Sequence, residues 1–216
     1  MNAEDVAQYL REHPDFLTQH GELFTRITVP HPHGGQAITL AERQLHALRD
    51  KIGQLELKLS ELIRFGEEND EIGAKVHRLS LLLLEAEHYA SLRYALLQSL
   101  VEDFTVPHVA LRIWNSPISH EGDDFLPVSD ELRFFAGDLR HPYCGAPGNI
   151  EILGWFGDAA PHIRSVALVP LRRDDRVFGL LALASEESER FYPEMGTLYL
   201  GRIGELCAAA LRRELG

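Results

Sequence analysis

The segment Ser165–Ser185 reads SVALVPLRRDDRVFGLLALAS and decides the fold. Two apolar runs, Ser165 to Leu171 and Val177 to Ser185, flank an Arg/Asp-rich turn, the signature of a β-hairpin in a mostly buried sheet. Working outward, Ser80 to Phe104 keeps a helical pattern of leucines, and Pro193 to Leu215 forms a closing apolar helix. Strands enclosed by helices give an α+β class, with a central antiparallel sheet flanked by helices. A further strand over Val109 to Asn115 puts Val109, Leu111 and Ile113 on one face and Ala110, Arg112 and Trp114 on the other. Between this strand and the hairpin come a polar loop (116–127), a short helix (129–136), an irregular Pro/Gly-rich stretch (138–149) and a short helix or strand over Ile150 to Phe156.

Upstream lies a different periodicity. Thr39 and Glu42 fit a capping box opening a long helix. From there Leu45, Leu48, Ile52, Leu55, Leu59 and Leu62 alternate steps of four and three, with charged residues filling the other faces. This heptad seam predicts a coiled coil and, because an exposed leucine stripe favours association, a parallel homodimer. The seam then takes two steps of three, resuming at Phe65, Asn69, Ile72, Val76, Leu79 and Leu83, a phase break of the stammer type. Gly66 and Gly73 lower helix propensity here, so the coil either distorts or ends over Phe65 to Gly73, or the break acts as a joint. A helix kept intact from Thr39 to Leu79 extends about 60 Å at 1.5 Å per residue.

At the amino terminus, Ala3 to Glu12 and a second helix carrying Phe16, Leu17, His20, Leu23 and Phe24 form a packing pair. Thr28 to Gly35, with two prolines and two glycines, reads as a linker. The expected organisation is a helical segment and linker over 1–35, a coiled-coil helix over 36–79 and a sheet domain over 80–216.

Composition narrows the function. The chain has 216 residues, 45% of them hydrophobic, and a net charge of −12. Residues 1–79 carry 9 basic and 13 acidic side chains and residues 80–216 carry 12 and 20, so neither part offers the basic face that a nucleic-acid binder needs. Direct nucleic-acid binding and a membrane role are therefore not expected, and the helix pair at the amino terminus is read as packing rather than as a DNA-reading motif. The absence of a signal-like start and the two widely separated cysteines, Cys144 and Cys207, place the protein in a reducing cytoplasm.

Val169-Pro-Leu, the run Phe178 to Ser185, Phe191 and the terminal helix together resemble the GAF domain over residues 80–216. Leu17 to Phe24, Val29 to Gly35, Leu40 to Leu45 with Leu48-Arg49, and Glu68-Asn-Asp70 resemble the proteobacterial domain of unknown function 484 family, over nearly the whole chain. The resemblance implies a coiled coil joined to a GAF-like domain in a bacterial cytosolic protein. GAF domains bind small molecules between one sheet face and its long connections, or serve as dimerisation and signalling modules. The special signatures of their branches are missing: the cyclic-nucleotide pattern needs a lysine, and residues 80–216 have none. One loop thiol, Cys144, likewise cannot reproduce a disulfide relay.

Candidate chemistry is sparse. His31-Pro-His33 and His141-Pro-Tyr-Cys144 each supply only two metal donors, short of the four a structural zinc site uses. No nucleophile elbow or phosphate loop occurs. Glu121, Asp123 and Asp124 form an acidic cluster, read as a solvated loop. The ligand site expected from the alternation of the first strand combines Arg112 and Trp114 with Arg140, His141, Tyr143 and Cys144 of the connection, suited to a flat anionic ligand. Against it stands the packing reading, with Arg112 snorkelling and Trp114 and Trp155 filling core. The sequence thus points to a non-enzymatic sensory or regulatory module, dimeric through its helix, with no cofactor identified. The alternatives are a structural adaptor without ligand and a small redox or hydrolytic enzyme.

Overall fold

The computed structural model describes residues 2–29, 38–114 and 122–215. They divide into two compact units, residues 1–67 and 68–216.

In the first unit, helix α1 (Ala3–Glu12) is closed by a capping box in which Asn2 Oδ1 accepts from the Asp5 amide and the Asp5 carboxylate from the Asn2 amide. The expected second helix is two short ones, α2 (Phe16–Gln19) and α3 (Gly21–Arg26), because His20 leaves the helical region just before Gly21. A two-residue antiparallel ladder, β1 (Thr28–Val29) with β2 (Ile38–Thr39), closes the stretch read as linker, whose residues 30–37 lie outside the described residues. The Thr39 side chain of the expected capping box is likewise outside them.

Helix α4 runs unbroken from Leu40 to Glu85, so the Phe65 to Gly73 phase break does not end it. What changes along the helix is the fate of its apolar residues. Leu45, Leu48, Ile52, Leu55, Leu59 and Leu62 are each 52–67% exposed, whereas Leu79 and Leu83 are fully or almost fully buried in the core of the second unit. The division between units falls at Glu67/Glu68 instead of residue 79, because the last turns of α4 belong to that core.

The helical pattern after Ser80 is interrupted at residues 86–88. There His88 turns extended and its amide meets Ser91 Oγ at 3.3 Å, starting α5 (Tyr89–Glu102). Strand β3 (His108–Ile113) follows, then a 3₁₀ turn (Asp123–Phe125), α6 (Asp130–Asp138, capped by Ser129 Oγ on the Leu132 amide), β4 (Tyr143–Gly145) and α7 (Ile150–Gly154). The hairpin β5 (Ser165–Arg173) and β6 (Arg176–Ser185) turns at Asp174-Asp175, Asp174 having φ +53°. The closing helix α8 (Leu198–Leu215) starts five residues later than Pro193, after a turn at Pro193-Glu194.

The sheet order is β3-β6-β5-β4, every pair antiparallel. Strand alternation divides its side chains between two cores. On one face Leu111, Ile113, Val169, Leu181 and Leu183 meet α5, α8 and the end of α4. On the other Ala110, Trp114, Val166, Leu168 and Leu180 meet Leu132 and Ala136 of α6 and Ile152 of α7. Two glycines permit the close packing: a Cβ on Gly179 would lie 2.8 Å from the Arg112 carbonyl, and one on Gly204 of α8 would lie 2.6 Å from Val169 Cγ1. This helix, strand, connection, hairpin and helix order is the α+β arrangement expected from the sequence, with a central antiparallel sheet flanked by helices.

Candidate functional site

The face of β3 expected to meet the connection does so. Arg112 is buried at 9% exposure, its Nη1 donates to the Leu111 carbonyl at 2.9 Å, and its guanidinium lies 4.9 Å from the Trp155 ring centroid. Burial pulls its pKa below the ordinary guanidinium value, against the opposing field of Asp124 and Asp123. Trp114 is buried beside it and donates Nε1–H to the Val177 carbonyl at 3.1 Å. Both indoles pack on this face, Trp155 from the segment after α7.

The remaining four predicted residues do not join them. β4 pairs with β5, at the edge opposite β3, so two strands stand between Tyr143 or Cys144 and Arg112, a separation of roughly 14 Å at about 4.8 Å per strand. Within β4, alternation sends neighbours apart. Tyr143 lines the connection side and donates its hydroxyl to the Ala146 carbonyl at 3.0 Å, whereas Cys144 is buried in the core shared with α8. Arg140 and His141 line a crevice of about 430 Å³ with Val169, Arg172, Glu205 and Arg212, also on the α8 side. The six residues of the sequence-derived site thus fall into separate places, because long-range strand pairing sets the position of β4.

The metal reading fares the same way. His141 is exposed while Cys144 is buried, and among the described residues no group of three or more His, Cys, Asp and Glu gathers to hold a metal. His31 and His33 lie outside the described residues. Both thiols are pushed up by burial, that of Cys207 to about 12, which suppresses the reactive thiolate.

The acidic cluster is not a solvated loop at Asp124, which is 4% exposed. It accepts from Tyr89 Oη at 2.7 Å and from Arg93 Nε, tying the segment that follows β3 to the first turn of α5. Burial and the Asp124 carboxylate raise the Tyr89 pKa, so the phenol stays a donor. Asp124 holds the Arg93 guanidinium above its ordinary value. Glu121 lies outside the described residues. A second tie crosses the connection, where the Glu151 carboxylate accepts from the Ser129 amide at 3.0 Å and from Ser129 Oγ, fastening α7 to the cap of α6.

The elements joined by the Glu151–Ser129 tie, α6 and α7, wall a cavity of about 280 Å³ on the connection side. Val166 and Leu168 of β5 form its floor, Phe135 of α6 and Ile152 and Leu153 of α7 its walls, and Tyr143 its rim. Pro147, Gly148 and Asn149 complete the lining, Asn149 Oδ1 capping α7 by accepting from the Glu151 and Ile152 amides at 2.8 and 3.3 Å. Of the sequence-derived site only Tyr143 reaches it. The signal for the others was the alternation of β5, whose Val166 and Leu168 oppose Ala167 and Val169, together with an Asn-capped helix facing them.

A family model described as "Protein of unknown function, DUF484" matches residues 1–214. No curated protein gives a significant match. Similar solved structures include the native GAF domain of the potassium sensor histidine kinase KdpD from Escherichia coli, at 15% identity and a TM-score of 0.42 over 65% of this chain and 93% of that one. The GAF domain of a putative sensor histidine kinase from Pseudomonas syringae pv. tomato is similar at 20% identity and a TM-score of 0.47, over 69% and 91%. Among the described residues no helix is long and apolar enough to cross a membrane.

Proposed function

From the premise that the chain belongs to the DUF484 family of proteins of unknown function, we propose that it is a non-enzymatic sensory or regulatory module of the bacterial cytoplasm, a parallel homodimer through α4 whose sheet domain takes a small-molecule signal. One observation carries the reading. A single helix bears an exposed apolar heptad stripe, Leu45 to Leu62, and buries Leu79 and Leu83 of the same helix in the sheet domain. A stripe of that kind is an association surface, and its self-matching heptad spacing makes a second copy of the chain the simplest partner. The helix therefore links an assembly surface to a domain that holds a cavity. Burial of both thiols, which raises their pKa values, favours a binding role over thiolate chemistry.

Native mass spectrometry of freshly purified full-length protein tests this. The expected species is a dimer that carries or accepts small molecules and turns none over. A monomer, or catalytic turnover of a bound compound, contradicts it. An adaptor without ligand would give the dimer with a specific protein partner and nothing bound in the cavity.

A further inference from the structure

Resting on the sensory reading above, we infer that the cavity over β5 takes an uncharged, flat, largely apolar molecule of one or two rings with a single polar group, and not the anionic ligand that Arg112 suggests in the sequence. The volume of about 280 Å³ corresponds to roughly nine waters at about 30 Å³ each, enough for a one- or two-ring compound. The floor and walls are aliphatic or aromatic, and Phe135 and Tyr143 offer rings against which a planar body packs.

Among the described residues no side chain lining the cavity is charged, and the arginine buried on this sheet face, Arg112, belongs to the opposite edge strand. An anion brought here would lose its water without gaining a counter-charge, and the nearby α7 carries the Glu151 carboxylate. Among the described side chains lining the cavity, two are polar. Asn149 commits Oδ1 to the first turn of α7, which fixes the amide orientation and leaves its Nδ2–H as donor. The Tyr143 hydroxyl, donating to the Ala146 carbonyl, keeps its lone pairs as acceptor. A single hydroxyl on the ring edge, accepting from Asn149 Nδ2 and donating to Tyr143 Oη, matches that pair.

The test titrates the full-length dimer with 2-naphthol and 2-naphthoate, which share a ring system and differ in charge at neutral pH, by calorimetry and by protein methyl NMR. Saturable binding of 2-naphthol at one site per chain, shifting Ile152, Leu153, Val166 and Leu168, with 2-naphthoate at least tenfold weaker, is the expected result. Leu153→Trp, which fills the wall, and Phe135→Ala, which removes an accessible ring, should each weaken 2-naphthol at least fivefold while the thermal melt stays cooperative. Equal or tighter binding of the naphthoate, no saturable binding of either, or shifts confined to other residues overturns the inference. Any of these with the dimer intact removes the ligand class alone, whereas a monomeric wild-type chain removes the regulatory reading beneath it.

Discussion

Asp124→Ala should lower the melting temperature of the sheet domain by about 5–10 °C, because the carboxylate it removes is the meeting point of two donors. Asp124 is 4% exposed, and its oxygens take the Tyr89 hydroxyl at 2.7 Å and the Arg93 guanidinium. Breaking one partner of a buried ion pair costs about 3–5 kcal/mol. The Arg93 side chain is 42% exposed, so water recovers part of its solvation and the pair is discounted. The half-buried Tyr89 hydroxyl adds about 1 kcal/mol for an unmet donor. The sum, about 2–3 kcal/mol, converts at roughly 2–4 °C per kcal/mol for a chain of this size. Thermal denaturation followed by circular dichroism reads it. Asp124→Asn retains an acceptor for Tyr89 and should lose about half as much, and hydrogen exchange should quicken in residues 122–126 of the Ala variant. A melt within 2 °C of wild type for Asp124→Ala would refute the idea that this carboxylate fastens the connection to α5.

Two other expectations follow from the packing. Gly204→Ala gains about 1 kcal/mol of helix propensity but sets a Cβ 2.6 Å from Val169 Cγ1, in a side chain only 1% exposed; net destabilisation of about 1–2 kcal/mol is expected by urea denaturation, and an unchanged or higher midpoint contradicts it. Burial pushes the Cys207 thiol from its ordinary 9.0 up to about 12, so the folded state keeps a proton that the unfolded chain loses. Stability from this group is present below pH 9 and declines as pH rises toward 12. Iodoacetamide at pH 8 should leave Cys207 unmodified until the protein unfolds, as read by intact mass; rapid native alkylation would show the thiol to be accessible.

The hairpin was legible because two apolar runs of strand length enclose a charged turn, a purely local pattern. The α4 seam was legible for the same reason, six apolar residues at heptad spacing on charged ground. Even the face of β3 could be read, since alternation alone sends Leu111 to one layer and Trp114 to the other. What failed was the assembly of Arg112 with Arg140, His141, Tyr143 and Cys144. The pairing of Tyr143 with Leu168 carries β4 to the far edge of the sheet, and no local signal marks a three-residue strand between Pro142 and Pro147. The cavity was hidden by the same dependence, for it exists only where Phe135, Ile152 and Leu168 meet across more than thirty residues of sequence. Asp124 was misread because its partners, Tyr89 and Arg93, are equally distant in the chain.

If α4 is an association surface, the mass of the chain in solution shows it. Light scattering on the full chain at tens of micromolar should give twice 24.4 kDa. Leu45, Leu48, Ile52, Leu55, Leu59 and Leu62 each leave about half their surface to be covered, worth about 1 kcal/mol apiece. Ile52→Lys with Leu55→Lys removes four such contributions per dimer, about 4 kcal/mol, a weakening of roughly a thousandfold. That double variant should run as a monomer with residues 89–215 still folded by circular dichroism. A wild-type chain of 24.4 kDa under these conditions, or a double variant that remains dimeric, would show that the α4 stripe does not hold two chains together.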